Sequence, residues 1–315
     1  MSSIIDFKDV AYPGGRDYHE AQMRFREAAT SGEFPSLLRS DYQDILLADY
    51  ARAPQPLLSI TYQTTSDRDE ETYRGLKVLT EQILEVPEGG KYPEDMLDEK
   101  STVTIANRKY GKIYAITREM IMFAKLAEIK RMASLNAEFL STIYEKILVA
   151  TIENTSNTTA SASTLTLNRA NLETVITAYR KQTDTAADGS SVKLGLVPDT
   201  LLVPPDLQFE SQRLLNSTLI PGSANNDMNV LQGLLTIVVS HYLTSTSVWY
   251  VLKKNWANGL VVQNVIGPNP ETFIQDVSGN NMPDGPFLYD EIKYRADLFF
   301  GAGVIDAKWA IRSTT

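Results

Sequence analysis

The sequence predicts an α+β fold built around one long helix and one long hairpin, and three observations carry that expectation. A charged, extended pattern with strong turn chemistry at its centre occupies the stretch from about Leu57 to Ile116. The run from Lys112 to Asp188 contains neither Gly nor Pro, and its first part places apolar residues at helical spacing. Glu291 to Ile311 alternates apolar and polar residues in the manner of half-buried strands.

Residues 1–56 read as an arm with two helical patterns. The first, Tyr18 to Ala29, is mostly polar. The second, Pro35 to Ala51, spaces Leu37, Leu38, Ile45, Leu46 and Ala48 around a helix that Pro35 can open and that Pro54 and Pro56 stop.

Residues 57–116 read as an extended loop. Leu76, Val78 and Thr80 alternate with Lys77, Leu79 and Glu81, and Thr102 to Ile105 and Ile113 to Ile116 supply β-favouring residues for the return. Pro87, Glu88, Gly89, Gly90, Lys91 and Tyr92 form the turn, with Glu94 and Asp95 just beyond it. An isolated two-stranded ribbon is marginal in water, so this one is expected to lie on another copy of the chain. Acidic residues dominate Asp67 to Lys100, whereas Arg108, Lys109, Lys112, Arg118, Lys125, Lys130 and Arg131 make the next stretch basic. Two explanations stand: cross-strand pairing with solvated faces inside one hairpin, or an acidic tip that meets a basic patch on a neighbour.

Residues 117–168 hold the spine helix. Thr117 offers a cap, and Met120, Ile121, Ala124, Ala127, Met132, Leu135, Phe139, Ile143, Ile147 and Ala150 follow helical spacing to about Glu153, without the sustained heptad of a coiled coil. Asn154 to Ser163 reads as a linker and domain boundary. Residues 169–287 read as mixed α/β, with helices near Arg169 to Thr183 and Asp206 to Leu215. Strands are expected at Leu201 to Val203, Leu234 to Ser240, Val248 to Lys253 and Leu260 to Ile266. Residues 288–315 read as an antiparallel terminal hairpin turned by Gly301 and Gly303, with Ile305, Ala307, Trp309 and Ile311 on one face.

Composition narrows function by exclusion. The 315 residues contain no Cys and only His19 and His241, which leaves no thiol chemistry and no zinc cage without carboxylates. No nucleophile elbow, phosphate loop or dinucleotide fingerprint is present: Glu88-Gly89-Gly90-Lys91 and Gly301-Ala302-Gly303 read as turns. Trp249, Tyr250 and Trp256 read as core or loop anchors. No catalytic residue, cofactor or metal is therefore expected. The net charge of -9 argues against a broad nucleic-acid grip, though not against a surface that faces packed DNA. No run of apolar residues is long enough to span a bilayer, and the start lacks a signal pattern, so cytoplasmic synthesis without a membrane is expected.

The order of segments resembles the major capsid proteins of tailed bacteriophages with the Hong Kong 97 fold, Mu-like head subunits in particular. Tyr110 to Glu119 is similar to the family's passage from extended loop to spine helix. Leu201-Leu202-Val203-Pro204-Pro205-Asp206-Leu207 is similar to its strand-to-helix step, and Gly301 to Ile311 to its closing strands. The resemblance implies a peripheral domain containing the spine helix and an axial domain at 169–287. It implies a homo-oligomer of pentamers and hexamers in an icosahedral virion shell around double-stranded DNA, with portal, scaffold and decoration proteins as partners. Lys77, Lys91 and Lys100 lie on the loop, but no partner Asn and Glu match the family's cross-linking motif, so the resemblance assigns no cross-link to this chain, in either direction. The alternatives are an encapsulin-like compartment subunit and a soluble enzyme with an unrecognised carboxylate site.

Overall fold

The computed structural model describes residues 34–76, 85–91, 99–117, 119–120, 126–164, 166–186, 189–219, 227–274 and 291–314. In chain order, α1 (Phe34–Arg52) leads to β1 (Tyr62–Thr65), β2 (Glu70–Leu76), β3 (Glu99–Ala106) and β4 (Arg108–Thr117). Then come α2 (Leu126–Glu153), β5 (Thr159–Thr164), α3 (Arg169–Arg180), β6 (Thr183–Thr185), β7 (Ser191–Lys193), β8 (Thr200–Val203) and α4 (Gln208–Asn216). The chain closes with β9 (Thr236–Val239), β10 (Tyr250–Leu252), β11 (Leu260–Asn264), β12 (Glu271–Ile274), β13 (Glu291–Val304) and β14 (Ala310–Thr314).

The chain divides into two units. The first comprises Met1–Pro54, Lys109–Ile143 and Ile266–Phe299. Here α1 buries Tyr42, Leu46 and Tyr50, four residues apart, as a helix stripe requires. Thr117 Oγ1 accepts the Met120 N–H at 3.4 Å, the cap that the sequence offers. Residues 121–125 lie outside the description; from Leu126 the helix runs 28 residues, about 42 Å. Within this unit α2 buries Ile129, Ala133, Asn136, Ala137 and Leu140. Asn136 Nδ2 donates to Tyr42 Oη at 3.2 Å, and the Tyr42 ring stacks on Tyr294 with centroids 4.8 Å apart. The Ser134 hydroxyl donates to Asp49. β13 pairs antiparallel with β12 over Tyr294 to Asp297, and β4 also pairs with β13.

The second unit comprises Gln55–Arg108, Tyr144–Val265 and Phe300–Thr315. Its main sheet has the order β5-β14-β10-β8-β9. Leu172, Val175, Ile176 and Tyr179 of α3 share one core with Leu201, Val203, Trp249, Val251 and Ile311. Trp249 and Trp309 are fully buried, and Trp256 packs partly buried against the cluster that holds Trp249. Tyr179 Oη donates to the Trp309 carbonyl at 2.8 Å, and Trp309 Nε1 to that of Asn157 at 2.8 Å. Asn168 caps α3 by accepting the Asn171 N–H at 2.9 Å. β11 lies between parallel β1 and the Phe300 to Val304 part of β13.

Four expectations are corrected. Ile113 to Ile116 belong to β4, a strand that pairs with β13 and not with the outgoing strand of the hairpin, whose only return in the description is β3. Asn154 to Ser163 is not a linker: a 3-10 turn over Thr155–Asn157 leads into β5, which pairs parallel with β14 as the edge strand of the sheet. The turn at Asp184 to Ser191 is a small hairpin of β6 and β7. The terminal hairpin does not exist, because β13 continues through Gly301 and Gly303 to Val304, and β14 joins the other sheet. Those glycines permit close approach instead of a turn. A Cβ on Gly303 would stand 2.7 Å from Ile105 Cγ1, inside contact distance. The helical pattern at Tyr18 to Ala29 lies outside the described residues.

Candidate functional site

β2 and β3 form a two-stranded antiparallel sheet, with Tyr73 opposite Val103 and Glu71 opposite Ile105. Alternation divides the ribbon. Glu71, Tyr73, Val103 and Ile105 are partly or fully covered, whereas Glu70, Thr72, Arg74, Thr102 and Thr104 are exposed. Among the described residues no third strand pairs with it. The ribbon is held at its root. Gln263 Nε2 donates to Tyr73 Oη at 2.6 Å, and Asn107 Nδ2 donates to Ser66 Oγ at 3.1 Å and to the Arg68 carbonyl at 2.7 Å. Burial is the main cause that raises the Tyr73 phenol above its ordinary range, so it stays neutral.

At the far end, Gly90 N–H donates to the Pro87 carbonyl at 2.8 Å and Gly89 has φ 78°, a turn whose third residue must be Gly. Pro87, Glu88, Gly89 and Lys91 are exposed and Gly90 is half-buried. Tyr92, Glu94 and Asp95 lie outside the described residues.

The described basic residues differ in their surroundings. Lys109 Nζ and Arg295 Nε stand 2.9 and 3.1 Å from Asp297 Oδ2, whose side chain is 4% exposed. Both cations lie against the Phe273 ring, 5.9 and 4.4 Å from its centroid. Lys112 Nζ lies over Tyr114 and Phe139 at 5.4 and 5.0 Å. Arg108 and Arg131 are exposed and Lys130 is half-buried; Arg118 and Lys125 lie outside the described residues. Sequence reasoning missed Asp297 and Phe273 as the hub of this cluster. Alternation put Asp297 on the solvent face, and only the pairing of β13 with β4 and β12 covers it.

Large apolar side chains are exposed in the first unit: Ile113, Leu135, Phe139 and Phe273, of which Phe139 and Phe273 lie against these cations. Exposed aromatic rings with an arginine against one of them are enriched at protein-binding surfaces, whereas lysines belong more to their rims. Among the described residues no group of His, Asp and Glu could hold a metal ion, and His241 is exposed. No helix among them is long and apolar enough to cross a membrane.

A family model described as phage capsid protein matches residues 100–313. Among solved structures, the fold is similar to a virus-like particle from Pyrococcus furiosus, with TM-score 0.52 and 10% identity over 87% of this chain and 98% of that one. It is similar also to the capsid structure of the cyanophage P-SCSP1u, with TM-score 0.52 and 10% identity over 82% and 88%. No curated protein matches the sequence. These likenesses identify the mixed helix and sheet architecture as the Hong Kong 97-like capsid fold. The family match covers well over half of the 315 residues, so the chain belongs to the phage capsid protein family and is a structural subunit of the shell.

Proposed function

We propose that this chain builds the closed icosahedral head of a tailed phage of the Mu-like group, as pentamers and hexamers that enclose double-stranded DNA. The observation that carries the reading is the β2–β3 ribbon, tied at its root and, among the described residues, joined by no third strand. Unpaired strand edges and a half-apolar ribbon gain stability only against another surface. In a homo-oligomeric shell that surface belongs to a second copy, and obligate interfaces of this kind bury about 2,000 Å² or more. The acidic tip, Pro87 to Tyr92 with Glu94 and Asp95, meets the neighbour's cations on Lys109, Lys112 and the residues around them. Charge there sets orientation more than strength.

In this assignment residues 1–56 are the arm, 57–116 the extended loop, 117–168 the peripheral domain, 169–287 the axial domain and 288–315 the returning segment. The subunit is made in the host cytoplasm, works with a scaffold, a portal and decoration proteins, and carries out no turnover. A net charge of -9 suits a wall that faces packed DNA without gripping it.

The test is negative-stain microscopy of the expressed chain beside a variant lacking residues 88–91. Closed polyhedra from the first, and folded but unassembled subunits from the second, are expected. Normal particles from the deletion would sink the reading. A second reading, a DNA-free compartment, draws on the similarity to the Pyrococcus furiosus virus-like particle. Particles with a protein cargo and no nucleic acid after nuclease treatment would favour it.

A further inference from the structure

Gly301 and Gly303 lie two residues apart on β13, so both face the same side, opposite Gln263 and Val261 of β11. Neither has positive φ, so backbone freedom does not explain them. Space does. A Cβ on Gly301 would stand 2.6 Å from Asn107 Oδ1 and 2.8 Å from the Ala106 carbonyl oxygen; on Gly303 it would meet Ile105 Cγ1 and Cδ1 at 2.7 and 2.8 Å. The end of β3 is thus pressed directly onto bare backbone, and Ile105 is only 3% exposed there.

The other strand of the ribbon is fixed beside it. Gln263, opposite Gly301, donates to Tyr73 of β2, while Asn107 N–H donates to the Asp69 carbonyl at 2.8 Å and Ser66 N–H to that of Asn264 at 3.1 Å. Both strands of the ribbon are therefore held over one small area of β11 and β13, and nowhere beyond it by another strand among the described residues.

We propose that this bare-glycine seat is a positioning device: it sets the angle at which the ribbon leaves the subunit, and with it the geometry at which one copy engages the next. The second half of this inference rests on the reading that the ribbon engages a neighbour. The lever is steep. The two glycines are about 6.7 Å apart and the Leu76/Glu99 pair is about 20 Å along from Ile105, so lifting one end of the seat by about 1 Å displaces that pair by about 3 Å. A close-packed contact does not absorb such a displacement.

The absence of Cys allows a clean measurement. Spin labels on introduced Leu76→Cys and Thr177→Cys report the distance from the described end of the ribbon to α3 in dissociated subunits, and unlabelled chains report particle closure. Unsubstituted Gly301 and Gly303 should give one narrow distance. Gly303→Ala should shift it by about 3 Å or broaden it, with far-ultraviolet circular dichroism unchanged, and should abolish closed particles. Gly301→Ala should act more strongly, because the clash there includes backbone. Adding Ile105→Ala to Gly303→Ala should restore both the distance and closure. An unchanged distance in both glycine variants overturns the proposal, as does normal closure despite a shifted distance, or failure of the double variant to restore. If the glycine variants do not fold, Tyr73→Phe, which removes only the bond to Gln263, should broaden the distance; an unchanged distribution there is equally fatal. The engagement reading fails separately, through normal particles lacking residues 88–91, while the labelled distance still reports the seat.

Discussion

Glu145 shows what one side chain can impose on a shell subunit. It lies on α2 with 1% exposure, Oε1 accepts the Leu57 N–H at 3.0 Å, and Oε2 is buried without a bond. Burial pushes its carboxyl up to about 7, against the opposing bonds from Leu57 and Leu58. The native state therefore keeps a proton that the unfolded chain, titrating near 4.5, has already released. Below about 4.5 neither state pays for a charge; between 4.5 and 7 stability falls as pH rises, and above 7 the full burden is present, on the order of 3 kcal/mol. Urea unfolding of dissociated subunits should show Glu145→Gln stabilising relative to the parent at pH 8 and converging with it near pH 5. Parallel curves at both pH values would refute this assignment.

At the scale of elements, the helices were legible because their signal is local. Pro35 with Pro54, and Thr117, mark ends within a turn or two, and the 3.6-residue stripes of α1 and α2 need no partner to be seen. The ribbon and its Gly89 turn were legible on the same grounds. The pairing of strands was not, because a glycine means a turn or a close approach according to what stands opposite. For Gly303 that residue is Ile105, nearly two hundred positions away. The same distance hid the Lys109–Asp297–Phe273 cluster, whose members come from three strands. Packing along α2 yields a further expectation: Leu140, fully buried, should cost about 2–5 kcal/mol on replacement by Ala, read as a lower urea midpoint with unchanged slope. A loss under about 1 kcal/mol would mean that this face of the spine is loosely packed.

For the whole molecule, association and stability are linked, since whatever binds only the folded subunit raises its apparent melting temperature. Assembled particles should therefore melt well above dissociated subunits, and diluting toward dissociation should close the gap. Charge steering between tip and cations adds an ionic-strength dependence: light scattering should show assembly slowing by about tenfold between about 0.05 and 0.5 M salt. A salt-independent rate would remove the acidic tip from the encounter step. The sheet order β5-β14-β10-β8-β9 has one more implication, for biosynthesis. β14 lies inside the sheet and is the last of its strands to leave the ribosome, and among the described residues β5 has no other neighbour. A growing chain on the ribosome thus cannot finish this sheet until Thr314 has been added.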